Sequence, residues 1–320
     1  AGAWFLVRPR AGTPVAAGVA VAGLAATAGL FAFAPSDPPV PVILGSYPIG
    51  DGEGCANGDI PVAGGFYSLD IPAGLLRFQP RGSSSESGYW ETSVSGTGHQ
   101  SAVCLRLGTK VVWRVRSRTL SPTAPSGAVS CQTPESLLGG GFAFPWGLAA
   151  LSSYPQAPMR WAAANGPYTD GPAPEGEVSA LCAELPEGLR TYVTTASGSG
   201  TVDAYCFKGD HPLGGGYAGR AVDGSYPNAD GWTVTASGTA SAYALCYHPS
   251  RRLGLRTSYP VQSLDGDAVC GSGDVLLGGG WQSGTTLDGL QHFEPNGSGW
   301  KAEQPSGGPT TAYALCAKRW

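Results

Sequence analysis

The sequence contains few charged residues. Aspartate, glutamate, lysine and arginine make up 13% of its 320 residues, about half of the share that is usual in soluble domains. The net charge is -4 and no run of like charges occurs. A nucleic-acid-binding surface needs clustered lysines and arginines, so we expect no nucleic-acid partner.

Motifs that carry catalysis or bind metals are also missing. There is no Cys-x-x-Cys pair, no His-Glu-x-x-His motif and no Gly-x-Ser-x-Gly nucleophile elbow. No histidine lies at ligand spacing from a cysteine, and the histidines occupy unrelated positions: His99, His211, His248 and His292. We therefore predict that the protein is not an enzyme, uses no cofactor and binds no metal through its cysteines.

Four acidic residues lie in glycine-rich turns shortly before two of the cysteines: Asp51, Glu53, Asp265 and Asp267. A calcium loop needs several oxygen ligands at tight spacing, and these clusters are incomplete. Aspartate also stabilises ordinary tight turns. Turn formation is therefore the favoured interpretation, and calcium binding is the alternative.

The sequence does contain one motif that occurs four times. A cysteine precedes the last glycine of a glycine cluster by the same ten residues, at Cys55, Cys131, Cys206 and Cys270. An aromatic residue follows each cluster, and then come a proline, a tryptophan and a closing cysteine. A motif repeated at a fixed spacing predicts one structural unit copied in tandem.

Short alternating segments between clusters of glycine, serine and proline predict strands throughout the repeats. The expected fold class is all-β: tandem, small, disulfide-closed units of sandwich or barrel-like form after an N-terminal hydrophobic helix. The predicted boundaries are 42–108 for unit 1, 109–186 for unit 2, 187–250 for unit 3 and 251–320 for unit 4. A unit of about 70 residues has a marginal core, so we expect additional covalent support.

The eight cysteines can provide that support in two ways. The closing cysteine could pair with the opening cysteine of the next unit, but this leaves Cys55 and Cys316 unmatched unless they pair end to end. We favour pairing within units, which gives Cys55–Cys104, Cys131–Cys182, Cys206–Cys246 and Cys270–Cys316. Closing a loop of some 45 residues contributes about 4 kcal/mol. Disulfides predict an oxidising compartment.

The glycine clusters are interpreted as packing elements, because glycine permits the close approach of two backbones. One cluster matches the dinucleotide-binding spacing at Gly214, Gly216 and Gly219. That motif requires a following helix, and no helical period follows here.

The tryptophans fall into two groups. Those that recur in every unit are interpreted as core anchors, with sugar stacking as the alternative: Trp90, Trp161, Trp232 and Trp300. Three others do not recur, so they are the candidates for an exposed ligand-stacking surface: Trp113, Trp146 and Trp320.

The N-terminal segment 1–34 contains a twenty-residue apolar stretch, 15–34, preceded by Arg8 and Arg10. Such a stretch can cross a bilayer, and the arginines favour a cytoplasmic N-terminus. A signal-anchor helix is the favoured interpretation. A cleavable signal peptide and a helix packed in an assembly or filament are the alternatives. The proline-rich segment 35–41 is predicted to be a stiff spacer.

The order of cysteine, glycine cluster, Ser-Tyr-Pro, Gly-Trp and Ala-Tyr-Ala-Leu-Cys is most complete at 206–246. It resembles an uncharacterised repeat module of secreted and surface proteins from high-GC, actinobacterial-type bacteria. The resemblance covers about 42–320 and implies export and a small disulfide-closed β unit. It implies no activity. Unit 1 departs from the pattern because it has two glycines and Tyr89 before its tryptophan.

These observations favour a non-catalytic structural or adhesive protein outside the cytoplasm, in an envelope, coat or filament. It is expected at the cell surface or secreted, and membrane-bound through its N-terminal helix if that helix is not cleaved. Expected partners are an envelope polymer, a glycan or further copies of the chain. The alternative is a multivalent carbohydrate-binding surface protein, in which repeated weak sites gain avidity.

Overall fold

The computed structural model describes residues 41–50, 53–68, 77–93, 97–121, 124–144, 150–165, 175–186, 189–284, 287–305 and 307–320. These residues belong to one compact body, Pro39–Trp320. The predicted N-terminal helix and all but the last residue of the predicted spacer lie outside the described residues. Within the described ranges, no helix has the length and hydrophobicity needed to span a bilayer.

Strands account for nearly all regular structure, so the all-β prediction is confirmed. The single helical element in the described part is a 3-10 turn, Leu287–Gly289. The strands of unit 1 are β1 (Ile43–Ile49), β2 (Ile60–Ser68), β3 (Arg77–Arg81), β4 (Tyr89–Ser93) and β5 (Gly98–Leu107). Those of unit 2 are β6 (Trp113–Leu120), β7 (Ser126–Ser130), β8 (Ser136–Ala143), β9 (Ala150–Gln156), β10 (Arg160–Asn165) and β11 (Gly176–Ala183).

Unit 3 has four strands, two of them long, and unit 4 has six. The strands of unit 3 are β12 (Thr191–Tyr205), β13 (His211–Gly219), β14 (Val222–Asn228) and β15 (Gly231–Tyr247). Those of unit 4 are β16 (Leu255–Ser263), β17 (Asp267–Val269), β18 (Val275–Ser283), β19 (His292–Asn296), β20 (Gly299–Glu303) and β21 (Thr310–Arg319).

Each unit has the same internal pairing. Its last strand, here called the closing strand, lies between the first strand and the strand that carries the glycine cluster. The closing strands are β5, β11, β15 and β21, and the glycine strands are β2, β8, β13 and β18. A closing strand is paired on both edges and buried on both faces, as Ala242, Ala244 and Leu245 show in unit 3 at no more than 1% exposed.

Each unit also has a hairpin that leaves the unit, formed by β3 and β4, by β9 and β10, by β14 with the first part of β15, and by β19 and β20. The first hairpin strand pairs with the glycine strand of the next unit, so β3 joins β8, β9 joins β13 and β14 joins β18. In unit 4 the partner is the glycine strand of unit 1, because β19 joins β2. The four hairpin pairings therefore close a circle, and each of the three sheets contains strands from at least two units.

The core and the disulfides follow the same plan. One cluster of buried apolar residues includes side chains from all four units. The disulfides join the opening and closing cysteines within units, as Cys55–Cys104, Cys131–Cys182, Cys206–Cys246 and Cys270–Cys316. The backbone N–H of every opening cysteine also donates to a carbonyl in the turn of its own hairpin. Each bridge thus links the closing strand to the hairpin that leaves the unit.

Candidate functional site

A cavity lies where the four units meet, and we call it the axial cavity. Its volume is about 130 Å³, and its wall is mostly apolar. All four units contribute to it, through the glycine clusters and the aromatic side chains that recur with them. The recurring tryptophans all line it: Trp90, Trp161, Trp232 and Trp300.

The middle glycine of each cluster lies against the indole of its own unit. A β-carbon at any of these positions would overlap ring atoms, in the pairs Gly64 with Trp90, Gly140 with Trp161, Gly215 with Trp232 and Gly279 with Trp300. The four indoles are between 1% and 6% exposed. The repeated tryptophans are therefore core residues whose faces are covered by backbone.

The first position of each cluster faces more open space. A β-carbon at Gly214 would meet no atom within 4 Å, and at Gly139 the nearest atom would be the Val62 carbonyl oxygen at 3.5 Å. In unit 1 this position is occupied by Ala63, which also lines the axial cavity. The first cluster position is therefore where the cavity has room for a side chain.

The indole N–H groups differ between units. Trp161 Nε1 donates to Ser153 Oγ at 3.1 Å, and Trp232 Nε1 donates to Ser225 Oγ at 2.9 Å. In units 1 and 4 the residues that correspond to these serines are Phe78 and Phe293. The sequence does contain a signal for these hydrogen bonds, because in units 2 and 3 the second residue before the hairpin proline is a serine. The sequence analysis did not identify these serines as hydrogen-bond acceptors.

Three indoles have no hydrogen-bond acceptor among the described residues: Trp90, Trp281 and Trp300. Trp281 is the aromatic residue that follows the glycine cluster of unit 4, and it is 3% exposed. All three line the axial cavity. A buried donor without an acceptor loses its hydration without compensation, so these groups are an unusual chemical feature of the core.

The last glycine of each cluster has a different neighbour, the hairpin backbone of the preceding unit. A β-carbon at Gly216 would overlap Ser153 and Tyr154 backbone atoms, and one at Gly280 would overlap those of Ser225 and Tyr226. Gly65 and Gly141 show the same relation to the hairpins that they contact. Backbone cannot move aside as a side chain can. This explains why the last position of every cluster is glycine.

Two side chains flank each of these last glycines, one from either unit. At Gly216 they are Tyr154 and Tyr243, whose rings stack with centroids 4.0 Å apart. Burial raises the pKa of Tyr154, and the neighbouring phenol of Tyr243 raises it further. Tyr226 and Tyr313 stack in the same way, at 4.1 Å, beside Gly280. These ring pairs lie directly on the junctions between units.

The junction between units 1 and 2 has polar groups in the same place. Ser179 Oγ donates to Gln79 Oε1 at 2.8 Å, and Gln79 is fully buried. Beside this pair, Arg81 contacts the carboxylates of Glu91 and Glu177 at 2.7 and 2.8 Å. Burial alone would raise the pKa of Glu177. The hydrogen bonds and charge of Arg81 outweigh this effect and hold the pKa of Glu177 below its ordinary value.

The junction between units 4 and 1, where the circle closes, differs from the other three. The flanking residues are Glu294 and Ser101, and they border an open groove of about 400 Å³. Glu294 is bound by His292 Nδ1 at 2.8 Å. The Ser101 hydroxyl has no hydrogen-bond partner among the described residues.

A recurring polar contact fixes each opening cysteine. Tyr47, Tyr192 and Tyr259 donate their hydroxyls to an aspartate in the turn after that cysteine, namely Asp59, Asp210 and Asp274. The pKa of Tyr192 is raised to about 12, mainly by burial and then by the hydrogen bond to Asp210. In unit 2 a bidentate pair, Arg116 with Glu135, takes this place. These contacts restrain the turn.

Metal chemistry has little support in the described part of the chain. The one group of suitable side chains found there is Cys131, Glu135 and Cys182, and both sulfurs belong to a disulfide. The four turn acids considered for calcium are not gathered into a site in the described ranges. Asp51 lies outside them, and the carboxylates of Glu53 and Asp267 accept hydrogen bonds from Gly50 and Asn296.

The three candidate stacking tryptophans are not brought together. Trp113 is 1% exposed and donates Nε1 to the Gly58 carbonyl at 3.0 Å, so it offers no free ring face. Trp146 lies outside the described residues. Trp320 is 56% exposed, with the guanidinium groups of Arg251 and Arg256 within 6 Å of its ring. Of the two that are described, only Trp320 remains available at the surface.

Neither comparison with known proteins supplies a name for this arrangement. No family model matches the chain, and no curated protein matches it at a significant level.

Proposed function

We propose that the chain is a non-catalytic structural or adhesive protein outside the cytoplasm, in an envelope, coat or filament. The observation that carries this proposal is the burial of every recurring tryptophan, between 1% and 6% exposed. The features that recur are used for packing. Repetition therefore serves to build one stiff body, and four covalent bridges suit a protein that must persist in an oxidising compartment.

The proposal includes four tandem copies of one β unit that act as a single head. The hairpin exchange supports this, because each unit completes a sheet of its neighbour. The N-terminal apolar segment would hold the head at the membrane, or would be removed on secretion. An envelope polymer or other copies of the chain are the partners that we propose, and a glycan is the partner in the carbohydrate-binding alternative.

The rival function is multivalent carbohydrate binding. Avidity from repetition requires an equivalent exposed site in each unit, and aromatic rings supply the stacking surface in such sites. The recurring rings are packed on glycine backbone instead. Their burial weighs against four equivalent sugar sites and favours the structural role.

Two measurements on the full chain test the proposal. A membrane-impermeant biotinylation reagent, applied to intact producing cells, should label the protein, and a thiol reagent should react only after reduction. Sedimented envelope polymer or the protein itself should retain the purified chain, whereas a glycan array should show no binding. Reduced thiols in a cytoplasmic fraction would refute the location. Binding of the intact purified chain to glycans on the array would favour the carbohydrate function.

A further inference from the structure

We propose that a basic patch around Trp320 docks on the anionic phospholipid headgroups of the membrane that holds the chain. The inference rests on the membrane attachment in the proposed function and adds to it a second contact, made by the folded body itself. The patch consists of one indole and five cations, all of them exposed: Trp320, Arg251, Arg252, Arg256, Lys318 and Arg319.

The fold assembles the basic patch from two segments that are far apart in the sequence. They come together because β16 and β21 pair side by side. The guanidinium carbons of Arg251 and Arg256 lie 5.4 and 5.9 Å from the centre of the Trp320 ring. Neither 231–264 nor 304–320 contains an aspartate or a glutamate. A sequence without a run of like charges therefore forms a local concentration of positive charge.

The charges of the basic patch are not neutralised within the described part of the chain. None of its five cations contacts a carboxylate there, whereas Arg81 and Arg116 are each held by glutamates. Arg319 donates to two backbone carbonyls, and the Asp274 carboxylate in the adjoining turn accepts from the Tyr259 hydroxyl instead. Such cations attract an anionic surface, and each one close to it strengthens the attachment about fivefold.

The exposed apolar side chains favour a lipid surface over a soluble polyanion. Trp320 Nε1 donates to the Leu255 carbonyl at 3.0 Å, which holds the indole in place while 56% of the residue stays exposed. Leu44, whose carbonyl accepts from Arg319, is 36% exposed. Tryptophan is enriched at membrane–water interfaces, and clustered arginine and lysine bind anionic headgroups. A soluble polyanion would use the cations and leave the apolar side chains in water.

The chain enters the folded body beside the basic patch. The Val42 N–H donates to the Arg252 carbonyl at 2.7 Å. In the sequence, the apolar stretch 15–34 ends seven residues before Pro41, and seven residues span at most about 25 Å even when fully extended. A bilayer that holds this stretch is therefore within reach of the patch, and so short a tether gives the patch a high effective concentration at the membrane surface.

The test uses the full chain with vesicles of phosphatidylcholine, either alone or mixed with phosphatidylglycerol. The phosphatidylcholine is brominated, so it quenches the fluorescence of a tryptophan that contacts the bilayer. The difference between wild type and Trp320→Phe isolates the emission of Trp320. We expect both kinds of vesicle to carry the chain in flotation, through its apolar segment, but only the anionic vesicles to quench Trp320.

Charge variants distinguish the basic patch from the rest of the surface. The patch variant combines Arg251→Gln, Arg252→Gln and Arg256→Gln. It should weaken docking on anionic vesicles on the order of a hundredfold and abolish the quenching, while flotation is unchanged. The matched control removes the same charge at three exposed cations elsewhere and should behave as wild type does: Arg160→Gln, Lys208→Gln and Arg220→Gln. Salt at about 1 M should act as the patch variant does, because it screens the charges.

The outcomes separate this inference from the proposed function. Flotation with both vesicles but equal quenching, no quenching, or quenching that survives in the patch variant would overturn the docking and leave the attachment standing. A chain that binds neither vesicle would refute both. Loss of quenching on addition of polyphosphate, at the same total charge as the vesicle surface, would assign the patch to a soluble anionic polymer. Binding to anionic vesicles alone, lost in the patch variant, would support the docking and refute the apolar anchor.

Discussion

Three adjacent glycines of unit 3 should respond very differently to the same added methyl group. Gly214, Gly215 and Gly216 lie on one strand, and none has a left-handed backbone conformation. Differences between their alanine variants must therefore arise from what each β-carbon meets. The series tests whether the three positions face open space, an indole ring and the backbone of the neighbouring unit, respectively.

The expected magnitudes follow from the neighbours. Gly214→Ala should be neutral or stabilise by about 0.4 to 1 kcal/mol, because alanine restricts the unfolded chain and meets nothing in the fold. Unit 1 already carries alanine at this position, as Ala63. Gly215→Ala should cost about 1 to 3 kcal/mol, since the Trp232 ring must shift in a packed core.

Gly216→Ala should be the most damaging of the three. Its β-carbon would overlap the Ser153 carbonyl and the Tyr154 α-carbon, which belong to the hairpin of unit 2. Relief requires that the two units separate locally, so we expect a loss above about 3 kcal/mol. Urea unfolding of the oxidised protein, followed by tryptophan fluorescence, measures all three. Equal destabilisation by the first and last substitutions would refute the assignment of positions.

Three further predictions concern polar groups. Trp232→Phe should destabilise by about 1 kcal/mol more than Trp90→Phe, because only Trp232 loses a hydrogen bond; urea midpoints of the two variants test this. Glu177→Gln should be less stable than wild type at pH 7. Since the folded pKa of Glu177 is lowered, the difference should persist above about pH 4.3 and vanish as the pH falls through the folded value; a variant curve parallel to wild type in acid would contradict it. Tyr192 has a folded pKa of about 12 against about 10 unfolded, so its contribution should be complete below pH 10 and lost between pH 10 and 12. Tyr192→Phe should lack this alkaline loss in urea midpoints.

The sequence predicts local structure well because the repeat is encoded locally. Alternating segments, turn residues and the paired cysteines all lie within one unit, so the all-β fold class could be derived from one copy. The constant spacing between Cys206 and Gly216 also indicated close packing. The backbone atoms that require this glycine, those of Ser153 and Tyr154, lie more than sixty residues away and in another unit. A pattern in one strand specifies which face is buried but does not specify its partner strand.

The candidate site was harder to predict than the fold. Trp113 does not recur, and this favoured an exposed ligand surface. The structure instead buries it against Gly88 and Pro61, where unit 2 meets unit 1. A large residue that does not recur can bind a ligand, but it can equally well fill a gap between two units. The axial cavity requires all four units, so no single copy of the motif could indicate it.

The circular order of the units has a consequence for protein engineering. Residues near both ends of the described body lie side by side, since Arg319 donates to the Leu44 carbonyl at 2.6 Å. A short connector could therefore fuse them, and new termini could be opened between β11, which ends at Ala183, and β12, which begins at Thr191. Such adjacency is typical of folds that tolerate circular permutation and insertion into a host loop. The body could thus be inserted as a folded module into a loop of another protein.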